Sequence, residues 1–299
     1  MSPILSLGNI SKSFGRIRAL NEVSFDVPSG SVYGILGPNG SGKTTLLGIV
    51  MNVLAASDGT FSWFGNKASG NFRREIGALL ETPNFYHYLS ARRNLEVAAA
   101  IKQKPFSDID RVLKLVRLYE RKDSKFQTYS LGMKQRLAIA SCLLGDPPVL
   151  VFDEPTNGLD PSGIAEIRQL IIDLAGAGKT IILASHLLAE VEKVCTHVAI
   201  LQQGVLIKSG EIREALSREE YLEIGSADME KLRPVLEKLQ GIVEIKRTGN
   251  HFQVFFDTIP DPAAINRHCF EQGIVLSQIQ IRKKSLESAF IEITNNVSN

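Results

Sequence analysis

The segment that most constrains this chain is the run Val32-Tyr33-Gly34-Ile35-Leu36 leading into Gly37-Pro38-Asn39-Gly40-Ser41-Gly42-Lys43-Thr44. The first five positions read as a buried strand, and helical apolar spacing resumes through Thr44-Thr45-Leu46-Leu47-Gly48-Ile49-Val50. The octet between them fits G-x-x-x-x-G-K-[ST] in the strand-to-helix context that this motif requires. With glycine near about 7% of ordinary usage, such a match arises by chance in a chain this long about one time in a hundred. Glycines let backbone N–H groups approach phosphates, and the helix N-terminus adds a positive dipole end. Lys43 supplies a point charge and Thr44 a hydroxyl for Mg²⁺, so Gly37 through Thr45 form a nucleoside-triphosphate site.

A second strand, Val149-Leu150-Val151-Phe152, delivers Asp153 and Glu154 side by side at its C-terminal end. Asp153 is placed to hold Mg²⁺, directly or through water, and Glu154 to polarise an attacking water. An acidic pair after a strand also has a plain reading as a solvated loop, and the phosphate loop upstream decides against it. His186 follows the strand Thr180–Ser185 at the equivalent edge, within reach of a γ-phosphate. A lone histidine is more often structural, so only its placement raises it.

At 299 residues the chain is long for one core, which favours two domains. A hydrophobic content of 44% with 22% charged residues excludes a disordered or collagen-like chain. The balance of 34 Lys+Arg against 32 Asp+Glu lacks the basic excess of a phosphate-backbone binder, so no direct nucleic-acid partner is expected. The longest apolar runs fall far short of a membrane span, and the N-terminus lacks signal-peptide features, so the expected compartment is the cytosol. Cys142, Cys195 and Cys269 show neither a C-x-x-C spacing nor an even count, and read as small buried hydrophobes.

Along the chain, Asn21–Val27 alternates as a half-buried strand, and Ala91–Leu144 is mostly helical. The strand Val149–Phe152, a helix from about Ser162 to Ala175 and the strand Thr180–Ala184 then restore a β/α alternation. The expected first domain is an α/β core over residues 1–215, with a helical subdomain inserted at about 84–145. Beyond it, strand Tyr221–Ile224, helix Asp228–Leu239, strands Val243–Arg247 and His251–Phe256, helix Ala263–Gln272 and strand Ile274–Ile281 follow in order. That β-α-β-β-α-β sequence predicts a small α+β, ferredoxin-like domain over residues 220–299, closed by a helix at Ser285–Thr294.

Upstream of the acidic strand stands Tyr129-Ser130-Leu131-Gly132-Met133-Lys134-Gln135-Arg136. The phosphate loop, Ser130 with Gly132, Asp153-Glu154-Pro155, Gly158-Leu159-Asp160 and His186 occur in this order, and together they resemble the nucleotide-binding subunit of ABC transporters over roughly residues 3–215. The resemblance implies a P-loop NTPase core that binds ATP and Mg²⁺, with Glu154 and His186 catalytic. It implies that Ser130 and Gly132 address the γ-phosphate of ATP bound to a second copy, a homodimer being the working unit, and that Asp160 lies at the interface. Phe14, in Ser13-Phe14-Gly15, looks like the aromatic that stacks on adenine, with ordinary packing the competing reading. The implied partner is a separate transmembrane permease, which would hold the chain at the cytoplasmic face of the membrane.

Two departures narrow the resemblance. The signature reads Tyr-Ser-Leu-Gly-Met and not Leu-Ser-Gly-Gly-Gln, and Glu81 stands where the family usually has the glutamine of a switch loop. A carboxylate there still offers Mg²⁺ an oxygen while adding charge beside the phosphates. Glu81 resembles the pattern of bacitracin-resistance and lantibiotic-immunity exporters, and the tail Ser285–Thr294 resembles the end of the extension on ATPases of the ABC-2 export type, its apolar spacing having an equally good reading as ordinary core packing. Between Ala91 and Lys125 ten basic residues face five acidic ones, a solvated face or a contact for acidic loops or anionic headgroups. A soluble ABC-type ATPase acting on a cytosolic machine is the alternative, but there is one phosphate loop and no sustained heptad. A GTPase switch lacks an Asn-Lys-x-Asp base-reading segment.

Overall fold

The computed structural model describes residues 3–67, 72–80, 84–212, 220–258, 260–283, 286–287 and 290. They fall into two compact units, one within Met1–Ile212 and one within Arg213–Glu292.

The first unit holds two sheets. Strands β1 (Pro3–Phe14), β2 (Ile17–Pro28), β4 (Asp58–Trp63) and β5 (Asn66–Lys67) form an antiparallel sheet in the order β2-β1-β4-β5. Strands β3 (Val32–Leu36), β6 (Ile76–Leu79), β7 (Val149–Asp153), β8 (Thr180–Ser185), β9 (His197–Gln202) and β10 (Val205–Glu211) form the second, in the order β10-β9-β3-β8-β7-β6. Its five strand pairings are parallel except for the β9–β10 hairpin at one edge. Every residue of β3, β7 and β8 is buried, as a parallel sheet covered on both faces demands. β2 instead alternates, and its buried Leu20, Val23, Phe25 and Val27 join Leu5, Leu7 and Ile10 of β1 in one core. Trp63 is fully enclosed in that core and its indole N–H donates to the Val50 carbonyl at 2.7 Å, so no polar atom of the ring is left unpaired.

Helices α1 (Lys43–Val50), α2 (Ala91–Lys102), α3 (Ile109–Leu115), α4 (Leu131–Cys142), α5 (Pro161–Gly176) and α6 (Leu188–Val194) complete the unit. The stretch expected to be mostly helical holds α2 to α4. Its basic residues are partly engaged: Arg92 pairs with Asp110, Arg93 with Glu96 and Arg111 with Asp108. The α4 backbone comes so close to β6 that a Cβ on Gly77 would stand 2.2 Å from the Cys142 carbonyl oxygen.

The second unit contains β11 (Glu220–Ser226), α7 (Met229–Leu236), β12 (Ile242–Thr248), β13 (His251–Phe256), α8 (Pro262–Glu271) and β14 (Leu276–Lys283). Its antiparallel sheet runs β12-β13-β11-β14, the ferredoxin-like arrangement. Leu222, Ile224, Phe252 and Val254 of the sheet pack with Leu232, Leu236, Ile265 and Cys269 of the helices. α7 stops three residues short of the sequence expectation because the chain tightens there into three-residue turns, with Leu239 N–H donating to the Leu236 carbonyl at 2.9 Å. β14 starts two residues late because the Ile274 amide is taken by the Cys269 carbonyl at the end of α8, 2.9 Å away. Most of the closing helix expected at Ser285–Thr294 lies outside the described residues, and so does Glu81.

Candidate nucleotide site

Sheet order assembles the site. β3 lies beside β8 and β8 beside β7, with Leu36 opposite Ser185 and Asp153 opposite Ala184, so three strands release their next residues along one edge. The loop after β3 carries Gly37 to Gly42, that after β7 carries Glu154, and that after β8 carries His186.

The phosphate loop is built around its glycines. Gly42 caps α1 with φ 102°, a left-handed conformation that side chains resist, and a Cβ there would meet the Ala19 carbonyl oxygen at 2.7 Å. A Cβ on Gly37 would fall 2.3 Å from the Leu201 carbonyl oxygen. The Ser41 hydroxyl oxygen is buried without a hydrogen-bond partner, an arrangement that costs free energy until an acceptor or donor arrives. Lys43 is buried, and its ammonium donates to the carbonyls of Gly37 at 2.8 Å and Pro38 at 3.2 Å. Thr44, which follows it, is exposed.

Glu154 sits between two of these loops. Its Oε1 lies 3.5 Å from Lys43 Nζ and its Oε2 2.8 Å from His186 Nδ1. Its backbone is left-handed, with φ 47°, which costs a non-glycine residue about 1–3 kcal/mol. The Glu154 amide donates to the Ala184 carbonyl at 3.0 Å, so β8 holds the turn in place. Asp153, the last residue of β7, is buried beside it.

The remaining candidates lie on other elements. Ser130 caps α4 and accepts from the Met133 amide at 3.3 Å, while Gly132 in the first turn has open space where a Cβ would stand. Among the described residues no hydrogen bond or ion pair joins Ser130 or Gly132 to the loop from Gly37 to Thr44. Asp160 caps α5, accepting from the Gly163 amide at 3.1 Å and from the Ser162 hydroxyl at 2.7 Å. The Ser162 hydroxyl first, and then the Gly163 amide, hold its carboxyl below the ordinary range. Leu131 reaches across from α4 toward the same loop: a Cβ on Gly158 would touch its Cδ2 at 3.3 Å. Phe14 ends β1 with about half its surface exposed, the Lys12 ammonium standing 5.0 Å from its ring centre.

Sequence reasoning passed over Arg136. Its guanidinium donates to the Val116 carbonyl at 3.3 Å and stands 3.5 Å from the Glu166 carboxylate, tying the signature helix α4 to both the end of α3 and α5. The available signal was a charge directly before the apolar run Leu137 to Ala140, all of which is buried.

Residues 20–157 match the ABC transporter family. The chain is 31% identical to the bacitracin transport ATP-binding protein BcrA of Enterococcus faecalis, with 98% of this chain and 97% of that protein covered. It is 38% identical to the lantibiotic transport ATP-binding protein SrtF of Streptococcus pyogenes over 68% of this chain and 89% of the relative. Among solved structures, the ATP-binding cassette MJ0796, a dimer in a post-hydrolysis state bound to ADP and Pi, superposes with a TM-score of 0.63 at 26% identity, covering 70% of this chain and 99% of that one. A match spanning nearly the whole of BcrA joins the phosphate loop and the edge-of-sheet carboxylates to one conclusion: the chain belongs to the ABC transporter family, as one of its ATP-binding, ATP-hydrolysing subunits.

Proposed function

We propose that two copies of this chain close on ATP and power a separate membrane permease that exports a peptide antibiotic or a related amphiphile. The observation that carries the chemistry is the placement of Glu154 between Lys43 and His186 at the edge of the sheet. In this reading the phosphates lie along the loop from Gly37 to Thr45, the Lys43 ammonium turns an N–H from a loop carbonyl to a phosphate oxygen as its new acceptor, and the Ser41 hydroxyl gains the partner it lacks. Phe14 stacks on the base. Thr44, Asp153 and Glu81 offer only oxygen donors, the set that suits Mg²⁺ with most of its shell left to water and phosphate. The metal would supply charge neutralisation on the phosphates. Glu154 accepts the proton of the attacking water, and His186 holds that carboxylate in place while facing the γ-phosphate.

Ser130 and Gly132 support the dimer reading because their helix N-terminus is open while the phosphate loop of the same chain makes no bond to it. Asp160 then stands at the interface. Export of a peptide antibiotic draws on the printed roles of the relatives, bacitracin transport and lantibiotic transport. Among the described residues no helix is long and apolar enough to cross a membrane, so the reading has the chain reach the cytoplasmic membrane face through its permease. The test mixes two inactive variants, Lys43→Ala and Ser130→Arg. Mixed dimers carry one intact composite site, so mixing under exchange conditions should restore ATPase activity above the sum of the separate stocks. Recovery absent from mixtures that crosslinking shows to contain mixed dimers would contradict a site shared between chains.

A further inference from the structure

At the opposite edge of the parallel sheet from the phosphate loop lies a cleft of about 250 Å³ with four cationic side chains on its walls: Arg73, Arg74, Lys102 and Lys104. Ile76, the first residue of β6, and Pro147, two residues before β7, line it as well. Both strands run parallel to β3 through β8, so the cleft is at their N-terminal ends and the nucleotide loops are at the C-terminal ends. Five residues of strand separate the two edges by about 17 Å. The cleft is therefore no part of the nucleotide site.

Four positive charges converge there. Among the described residues no Asp or Glu lines the cleft. Asp108, whose carboxylate feels the Lys104 charge, is bonded instead to the Arg111 guanidinium and to the Gly145 amide at 2.7 Å, and Asp146 beside Pro147 pairs with Lys179 at 2.8 Å. The Lys102 ammonium is spent partly on the Ser141 carbonyl at 2.6 Å, and Lys104 on the Arg74 carbonyl at 3.2 Å. Neither contact is with an anion. Burial pushes the Lys102 ammonium below the ordinary lysine range, and neighbouring Lys104 pushes in the same direction. Arg73 and Arg74 are exposed at the mouth, make no ion pair among the described residues, and present planar forks suited to phosphate oxygens. Like charges gathered in a concave, partly desolvated site repel until a polyvalent anion joins them.

We infer that this cleft is a second anion site, recognising a phosphate group with two or more negative charges, either free or as the headgroup of an anionic lipid. Its volume admits a diphosphate, and its wall charges exceed what a single carboxylate would need.

The test uses the full chain with its nucleotide site saturated by Mg·ADP, so that the phosphate loop cannot report. Calorimetric titration with inorganic pyrophosphate, and cosedimentation with phosphatidylglycerol vesicles against phosphatidylcholine vesicles, are compared for the parent and for Arg73→Ala/Arg74→Ala. Both arginines are exposed, so folding and ADP affinity should be unchanged in the double variant. We expect at least one anionic probe to bind the parent, with a tenfold or greater loss of affinity in the variant. Pyrophosphate binding alone identifies a soluble ligand, and vesicle binding alone a lipid headgroup. If neither probe binds the parent, or if the variant binds as well as the parent, the cleft is not a phosphate site.

Discussion

His186 Nδ1 and Glu154 Oε2 stand 2.8 Å apart although 32 positions separate them in the chain, because β7 and β8 are neighbours and each ends one residue or less before its functional side chain. His186 is thus a holder of the carboxylate before it is anything else. His186→Ala should leave nucleotide binding close to the parental level and slow ATP hydrolysis by about 10- to 1000-fold, since the base survives but loses its orientation. Single-turnover kinetics beside a fluorescent-ATP titration separate the two effects.

Lys43 is enclosed, and its contacts to Gly37 and Pro38 shape the loop as well as charge it. Lys43→Ala should weaken Mg·ATP binding by at least tenfold, a loss of about 1.4 kcal/mol or more. Lys43→Arg should fail to rescue, because a planar fork does not fit a pocket that holds a compact ammonium. Equilibrium titration of the purified variants reads both outcomes.

The helical subdomain has its own electrostatic clamp. Burial raises the Asp108 carboxyl, but the hydrogen bonds from Arg111 and from the Gly145 amide outweigh it and hold the group below its ordinary 3.8. A carboxyl depressed by folding stabilises the protein above its unfolded pKa and loses that contribution as pH falls through the folded value. Asp108→Asn should therefore cost about 1–3 kcal/mol at pH 7, and the difference from the parent should shrink below about pH 4. Urea melts at pH 7 and at about pH 3 check the sign.

Gly77→Ala should be among the most damaging single-methyl changes in the chain. The added Cβ would meet the Cys142 carbonyl at 2.2 Å and Leu150 Cδ2 at 2.9 Å, and the first of these is backbone that cannot swing away. Separating α4 from β6 should cost about 1–3 kcal/mol or more, seen as a lower thermal midpoint. Gly176→Ala, where a Cβ meets nothing within 4 Å, serves as the control.

What the sequence disclosed and what it hid follow from the range of the interactions. Gly37 to Thr44 was legible because strand, glycines, lysine and helix are contiguous. The second unit was legible because turn residues such as Gly249-Asn250 separate periods of two from periods of 3.6. Strands β1 and β4 escaped notice because a mixed-burial strand in an antiparallel sheet carries a weak pattern, Asp58–Trp63 holding only one fully buried residue. The Lys43–Glu154 contact and the Arg136–Glu166 tie join distant segments, so spacing carries no trace of them. The clamp of Arg111, Asp108 and Gly145 was hidden inside what read as a solvated basic face.

The most direct test of the account is Glu154→Gln, which keeps the shape of the side chain and removes its capacity to accept a proton. Hydrolysis and ATP-dependent self-association should be measured on the same preparation, by phosphate release and by light scattering. ATP binding should stay intact, hydrolysis should slow at least about 100-fold, and a dimer should persist with ATP and dissociate with ADP. Phosphate release at the parental rate would contradict the account, because Glu154 would then not be the group that activates water.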